Sequence, residues 1–136
     1  MMFAFAIGDT CKALGTGPYV ANLARANLPV QLVPAVLFLT SGFISFFTGT
    51  SLVTFAIMLP IGIPMATLMG AELHIALGAM LSGGIFGDHC SPISDTTIIA
   101  SMASASDHID HVRTQLPYAF VAAAAALGLY LLMGLI

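Results

Sequence analysis

Two acidic residues, Asp88 and Asp95, occupy a short polar stretch inside a long apolar part of the chain, together with the hydroxyl side chains of Ser91, Ser94 and Thr96. Carboxylate and hydroxyl oxygens are suitable ligands for a hard cation. A carboxylate at membrane depth costs at least about 2.5 kcal/mol unless it is paired or coordinated. Either a bound cation or a proton removes most of that cost. The pattern therefore predicts acids that bind a sodium ion or a proton, with each excluding the other.

A second polar interruption follows the apolar run of residues 30 to 47 and supplies Thr48, Thr50 and Ser51 as further oxygen ligands. Their hydroxyls, and that of Thr54, could instead bond to the backbone of their own helix. Backbone groups freed by a broken helix are tolerated at membrane depth only inside protein or beside water. We therefore expect the two interruptions to face each other inside the folded chain.

The elements that must position these residues are helices. Ser91 is predicted to cap a helix over residues 92 to 106, with Pro92 at its first position and Ser94 and Asp95 in its first turn. At 1.5 Å per residue this helix is about 22 Å long, which is short for a full membrane span. In the alternative interpretation Asp95 only stabilises the helix start, Asp88 is a structural turn acid, and both serines serve only as caps.

The composition indicates an integral membrane protein. Hydrophobic residues make up 59% of the chain and charged residues 7%, and the mean hydropathy is +1.03. No charged residue lies in the ranges 26 to 71 and 114 to 136, and each exceeds the roughly 20 residues of a membrane helix. Residues 9 to 29, rich in glycine and proline, are predicted to form a loop or interfacial turn, and residues 117 to 136 a final helix. The fold class is all-α, with several transmembrane helices, some of them broken.

Histidine-containing sites are weaker candidates. His89 could relay protons beside Asp88, or simply face water. Four residues have a helical spacing that could clamp a metal ion: Asp107, His108, Asp110 and His111. An interfacial helix with an Asp110 to Arg113 ion pair is the preferred interpretation, so no transition-metal site and no cofactor are predicted. Three basic residues are too few to indicate a nucleic-acid partner.

Several motifs together resemble the NhaC family of sodium/proton antiporters, and the likeness extends over about residues 12 to 118. The motifs are Phe47-Thr48-Gly49-Thr50-Ser51, Gly87-Asp88, Ser91-Pro92-Ile93-Ser94-Asp95-Thr96-Thr97, Asp107-His108-Ile109-Asp110-His111-Val112 and Thr114-Gln115-Leu116-Pro117-Tyr118. The resemblance implies a multi-pass protein of the cytoplasmic membrane that exchanges sodium for protons, and not an enzyme. It also implies that residues 48 to 51 and 87 to 97 line the cation path.

Members of that family are longer, with repeated halves and broken helices. Residues 1 to 136 are therefore expected to be a single transmembrane segment, the C-terminal part of an inverted-repeat transporter. Its expected partners are the lipid bilayer, sodium ions and protons, and either the missing N-terminal half or further copies of itself. The isolated chain is expected not to transport. Two alternatives remain open: cation-coupled exchange of a small carboxylate such as malate or lactate, or of an amino acid, and an inactive fragment that only associates with a separate membrane partner.

Overall fold

A computed structural model describes the backbone of residues 2 to 135. Over this range the chain forms seven α-helices and one short 3-10 helix, Val30–Leu32. The α-helices are α1 (Met2–Ala13), α2 (Thr16–Asn27), α3 (Val33–Thr48), α4 (Ser51–Met69), α5 (Leu73–Cys90), α6 (Asp95–Ala103) and α7 (His108–Leu135). The described residues contain no strand. The predicted all-α class is thus confirmed.

Three of the breaks between helices fall at glycines with a left-handed backbone. Gly15, Gly49 and Gly70 have φ values of 65°, 67° and 78°. A glycine adopts this conformation without the steric cost that a Cβ atom imposes. These residues therefore end one helix and redirect the chain within one to three residues.

The loop predicted for residues 9 to 29 is wrong, because α1 and α2 cover nearly all of that range. Pro18 lies in the first turn of α2, where its missing N–H breaks no helical hydrogen bond. Gly17 permits close packing, since a Cβ atom there would lie 2.9 Å from Cγ of Pro64 on α4. Ala21 and Ala24 of α2 are buried in the core. Tertiary packing thus stabilises a helix whose composition favours a loop.

Three helical stretches are long and apolar enough to cross a membrane: Val30–Thr48, Ser51–Met69 and His108–Leu135. The last begins well before Pro117, the predicted start of the final helix. Asp107 caps it, because its Oδ1 accepts hydrogen bonds from the backbone N–H groups of Ile109 at 2.9 Å and Asp110 at 3.2 Å. Ile136, the predicted last residue, lies outside the described range.

The α3–α5 interface holds the centre of the molecule together. A Cβ atom on Gly83 or Gly87 of α5 would overlap a backbone carbonyl group of α3, that of Phe38 or of Gly42 respectively. Small residues let membrane helices approach this closely. Ser41 of α3 adds a polar link across the interface by donating a 2.6 Å hydrogen bond to the Met80 carbonyl oxygen. This tight contact fixes the C-terminal end of α5, where Asp88 is located.

Candidate functional site

Asp88 is a buried carboxylate in the last turn of α5, with a relative exposure of 3%. Its Oδ1 accepts a 2.7 Å hydrogen bond from Oγ of Ser94. Its Oδ2 accepts a 3.1 Å hydrogen bond from Oγ1 of Thr96. Both donors lie across the break at the start of α6, so the break folds its hydroxyl groups onto the acid that precedes it.

The hydroxyl groups around Asp88 can donate only a few hydrogen bonds to its carboxylate. Oγ of Ser94 and Oγ1 of Thr96 are 2.8 Å apart. Each hydroxyl has one hydrogen, so Thr96 must divide its hydrogen between Ser94 and the carboxylate. At most two hydrogen bonds therefore reach Asp88 from these groups, which leaves carboxylate lone pairs available to a further ligand.

Asp88 also has no basic partner within the described part of the chain. The ion pairs found there are Lys12 with Asp9 and His74 with Glu72, and all four of these side chains are largely exposed. The start of α6 provides partial positive charge, but less than a full unit. A buried carboxylate without a countercharge is costly. Chemically, the arrangement suits the uptake of a cation or a proton.

The helix after the break begins later than predicted, at Asp95, and ends at Ala103. Ser94 is its cap, since its Oγ accepts a 3.4 Å hydrogen bond from the Thr97 backbone N–H. Ser91 and Pro92 lie instead in a turn that is closed by the Ser94 N–H on the Ser91 carbonyl oxygen at 3.3 Å. The predicted roles of Ser91 as cap and Pro92 as first helical residue are wrong, because this turn places Ser94 next to the free helical N–H groups.

The structure separates the two predicted acids. Asp95 is exposed, and its Oδ1 accepts a 2.8 Å hydrogen bond from the adjacent Thr96 N–H, so it does not join the cluster around Asp88. Ser91 is fully buried, and its backbone N–H donates to the Asp88 carbonyl oxygen at 3.1 Å. Of the predicted ligands, Ser94 and Thr96 therefore meet Asp88 through their side chains. Ligand roles for all of these residues stay predictions.

The other interruption lies directly against this one. A Cβ atom on Gly49 would lie 2.9 Å from the carbonyl oxygen of Ile93, so the α3–α4 break packs on the α5–α6 break. The expectation that the two breaks face each other is confirmed.

Hydroxyl groups in the α3–α4 break turn toward their own backbone. Oγ1 of Thr54 donates to the Thr50 carbonyl oxygen at 3.0 Å, and Oγ1 of Thr48 lies 3.3 Å from the same oxygen. This is the backbone-bonded alternative for Thr48 and Thr54. The hydroxyls of Thr50 and Ser51, by contrast, form no hydrogen bond with the described side chains or backbone.

Replacing Gly49 by alanine should destabilise the protein more than the same change at Gly15. Both glycines have nearly the same φ, 67° and 65°, so both substitutions bear the left-handed strain of about 1–2 kcal/mol. Only at Gly49 would the new methyl group also press on Ile93, since nothing lies within 4 Å of a Cβ atom on Gly15. Unfolding midpoints of the two purified variants in detergent test this. Equal midpoints would show that the contact between the breaks contributes nothing.

Three buried oxygens of this region were not named as candidate ligands from the sequence, although Thr97 lies in the range 87 to 97 that the resemblance places on the cation path. Ser45 Oγ, Thr97 Oγ1 and Gln115 Oε1 are buried, and none has a hydrogen-bond partner within the described residues. Ser45 packs on α5 one residue before Asp88, because a Cβ atom on Gly87 would lie 2.8 Å from Cβ of Ser45. A serine at position 45, one helical turn after Ser41 in a mostly apolar run, is the signal that could have identified it.

His108 has a structural contact that the metal-clamp alternative did not anticipate. Its Nε2 lies 2.7 Å from the Pro92 carbonyl oxygen, and its Nδ1 lies 3.2 Å from Oγ of Ser101. The ring therefore ties the start of α7 to the α5–α6 break. No cluster of three or more potential metal ligands occurs in the described range. The predicted Asp110 to Arg113 pair is not among the ion pairs formed there.

Apolar helices that are broken around a buried acid are typical of ion-coupled membrane transporters. Comparison with known proteins agrees: residues 1–135 match the family model described as the Na+/H+ antiporter family. The chain belongs to this family.

Relatives with a named function are antiporters. The chain is 41% identical over 73 residues to the Na(+)/H(+) antiporter NhaC of Alkalihalophilus pseudofirmus, which covers 52% of this chain and 15% of that protein. It is 48% identical over 48 residues to the malate-2H(+)/Na(+)-lactate antiporter of Bacillus subtilis, which covers 35% of this chain and 10% of that protein. No solved structure matches the chain significantly.

A longer match is an uncharacterized protein of Haemophilus influenzae. It is 45% identical over 136 residues, which covers 98% of this chain and 26% of that protein. The chain thus spans about a quarter of the length of this relative.

Proposed function

We propose that the chain takes part in sodium/proton antiport across the cytoplasmic membrane, with Asp88 as the residue that binds sodium and protons in turn. The observation that supports this most strongly is the burial of Asp88, 3% exposed, without a basic partner in the described structure. Family membership supports the same activity.

Competition at one carboxylate would couple the two ions. In the sodium form, the hydroxyl oxygens of Ser94 and Thr96 would join Asp88 as ligands by turning their hydrogens away from the ion. In the proton form, the neutral carboxyl group needs no cation. Both loaded forms carry no net charge at Asp88, whereas the empty form holds a bare buried charge. Movement of the site between the two sides of the membrane is therefore favoured only when one ion is bound.

Further oxygen ligands come from the residues that the sequence identified around both breaks. The backbone N–H of Ser91 bonds to the Asp88 carbonyl oxygen, and Thr48, Thr50 and Ser51 belong to the facing break. In this proposal they complete the cation path. Asp95 is a second acid beside it, held at the positive end of α6, where its charge is favoured.

Exchange of a malate-like or lactate-like carboxylate is the second candidate, because one relative has that activity in its name. Such an anion needs a basic side chain to bind it. The chain has three basic residues, Lys12, Arg25 and Arg113, and all three are exposed, and none forms an ion pair with Asp88 in the described structure. The site around Asp88 therefore favours a cation over a carboxylate, and sodium/proton exchange is the better-supported function.

The experiment uses inverted membrane vesicles from cells that express the complete coding region and lack other sodium/proton antiporters. A pulse of sodium should change the internal pH of energised vesicles, whereas a potassium pulse of equal ionic strength should not. Malate with lactate, or an amino acid, is tested in parallel. A proton flux that requires one of these organic substrates, and does not occur with sodium alone, would contradict the proposal and favour the second candidate.

A further inference from the structure

We propose that a small cavity beside Asp88 is a second station for the transported sodium ion. The cavity lies between α5, α6 and α7 and has a volume of about 100 Å³. Its walls are formed by His89, Thr96, Thr97, Ala100 and Gln115. This inference rests on the proposed function, and it extends the expected cation path, residues 48 to 51 and 87 to 97, by Ala100 and Gln115.

Two unpartnered oxygens identify the cavity as a binding site. Thr97 has a relative exposure of 3%, and neither its Oγ1 nor Oε1 of Gln115 has a hydrogen-bond partner in the described chain. A buried polar atom left without a partner is destabilising. Both residues line the same cavity, so a ligand there lies next to both side chains.

Thr96 connects this cavity to the acid. It lines the cavity, and its hydroxyl also donates to Oδ2 of Asp88 at 3.1 Å. Thr97 is joined to the same cluster through its backbone N–H, which bonds to Oγ of Ser94 at 3.4 Å. An ion in the cavity would therefore share the Thr96 oxygen with an ion at Asp88, so transfer between the stations requires little rearrangement.

The wall chemistry selects the kind of ligand. Its oxygens are an amide carbonyl and two hydroxyls, and the lining residues include neither a carboxylate nor a lysine or arginine. Divalent cations favour carboxylate ligands, whereas uncharged oxygens suit a weakly held monovalent cation. A volume of about 100 Å³ holds an ion with a few waters, since one water occupies about 30 Å³ in the liquid. A weak site of this kind concentrates the ion without retaining it.

The test measures the sodium concentration at half-maximal exchange, in membrane vesicles from cells that express the complete coding region. Thr97→Val and Gln115→Leu should each raise this concentration about tenfold, because each removes one protein oxygen that would contact the sodium ion. The maximal rate at saturating sodium should be largely retained, because Asp88 is intact. Thr97→Ser, which keeps the hydroxyl, should restore the original value.

Thr114→Val is the matched control. Thr114 precedes Gln115 and is exposed, and its Oγ1 bonds to the Asp110 carbonyl oxygen of its own helix at 2.9 Å. The sodium concentration at half-maximal exchange should be the same in this variant as in the unchanged protein. Unfolding midpoints should also show no loss in Thr97→Val, because a methyl group replaces an unsatisfied hydroxyl. A purely structural role of Thr97 would instead lower stability and leave half-saturation unchanged.

Unchanged half-saturation in Thr97→Val and Gln115→Leu, while Asp88→Asn abolishes exchange, would mean that the cavity holds water only. That result would overturn the second station and leave the proposed function intact. Absence of sodium-driven exchange in the unchanged protein would reject both. Should Thr97→Val not accumulate in the membrane, Gln115→Leu against Thr114→Val decides the question alone.

Discussion

Asp88→Asn should abolish sodium-driven proton movement in membrane vesicles from cells that express the complete coding region. The amide matches the carboxylate in size, and its one oxygen can still accept one of the two hydrogen bonds that Ser94 and Thr96 donate to the acid, while its NH2 group donates to the other hydroxyl oxygen. It can neither supply the negative charge for a cation nor exchange a proton. Both halves of the proposed cycle therefore fail while the local packing survives. The measurement is the sodium-induced pH change at equal protein amount, over a range of sodium concentrations and pH values.

Asp107→Asn and Asp110→Asn are the matched controls for this loss. Asp107 is an exposed helix cap, and asparagine caps helices about as well as aspartate. Asp110 is exposed and forms no ion pair among the described residues, so its charge contributes at most about 0–1 kcal/mol. Both variants should retain most of the exchange. Full activity in Asp88→Asn would remove this acid from the mechanism.

Asp95→Asn distinguishes a second acid in the path from a helix-stabilising charge. As a member of the proposed cation path, Asp95 should be required for exchange. Asp95→Asn should then show no sodium-driven exchange. If Asp95 acts only at the start of α6, the change costs about 0.3–1 kcal/mol of stability and leaves exchange intact. The same vesicle measurement, combined with an unfolding midpoint, separates the two outcomes.

Gly83→Ala should destabilise the protein strongly, by about 1–3 kcal/mol or more, because the added methyl group would overlap the Phe38 carbonyl group of α3. Backbone cannot move aside as a flexible side chain can. The two helices must therefore separate, and the end of α5 with Asp88 is displaced. Unfolding in mixed detergent micelles with increasing sodium dodecyl sulfate should show a lower midpoint, and exchange activity should fall with it.

Gly128→Ala on α7 serves as the control for helix propensity. Nothing lies within 4 Å of a Cβ atom at that position. Alanine is favoured over glycine inside a helix by about 0.5–1 kcal/mol, so this variant should be unchanged or slightly more stable. Equal destabilisation of both variants would show that the close α3–α5 contact does not hold the protein together.

Features that depend on local composition could be predicted from the sequence alone. Two uncharged runs of membrane length predict spanning helices, and the described residues form three helical stretches that are long and apolar enough to cross a membrane. Thr48-Gly49-Thr50-Ser51 predicts the end of a helix, because glycine tolerates the left-handed backbone found at Gly49. The requirement that freed backbone groups be sheltered predicts that the two breaks meet, as Gly49 and Ile93 do.

Contacts between helices decided the rest. Residues 9 to 29 read as a loop by composition, yet α2 forms there because Gly17, Ala21 and Ala24 pack into a core that the sequence does not display. Ser91 and Ser94 are equally good caps by residue type. Only the turn after Cys90 selects Ser94 and aims its hydroxyl at Asp88.

The oxygens of Thr97 and Gln115 come from different helices, and in the sequence they belong to two separate motifs. They become a candidate site only where α6 and α7 enclose them together. Residue type and local pattern determine which elements form and which residues can do chemistry. Which oxygens share a cavity depends on packing between residues far apart in the chain, and a single sequence does not reveal it.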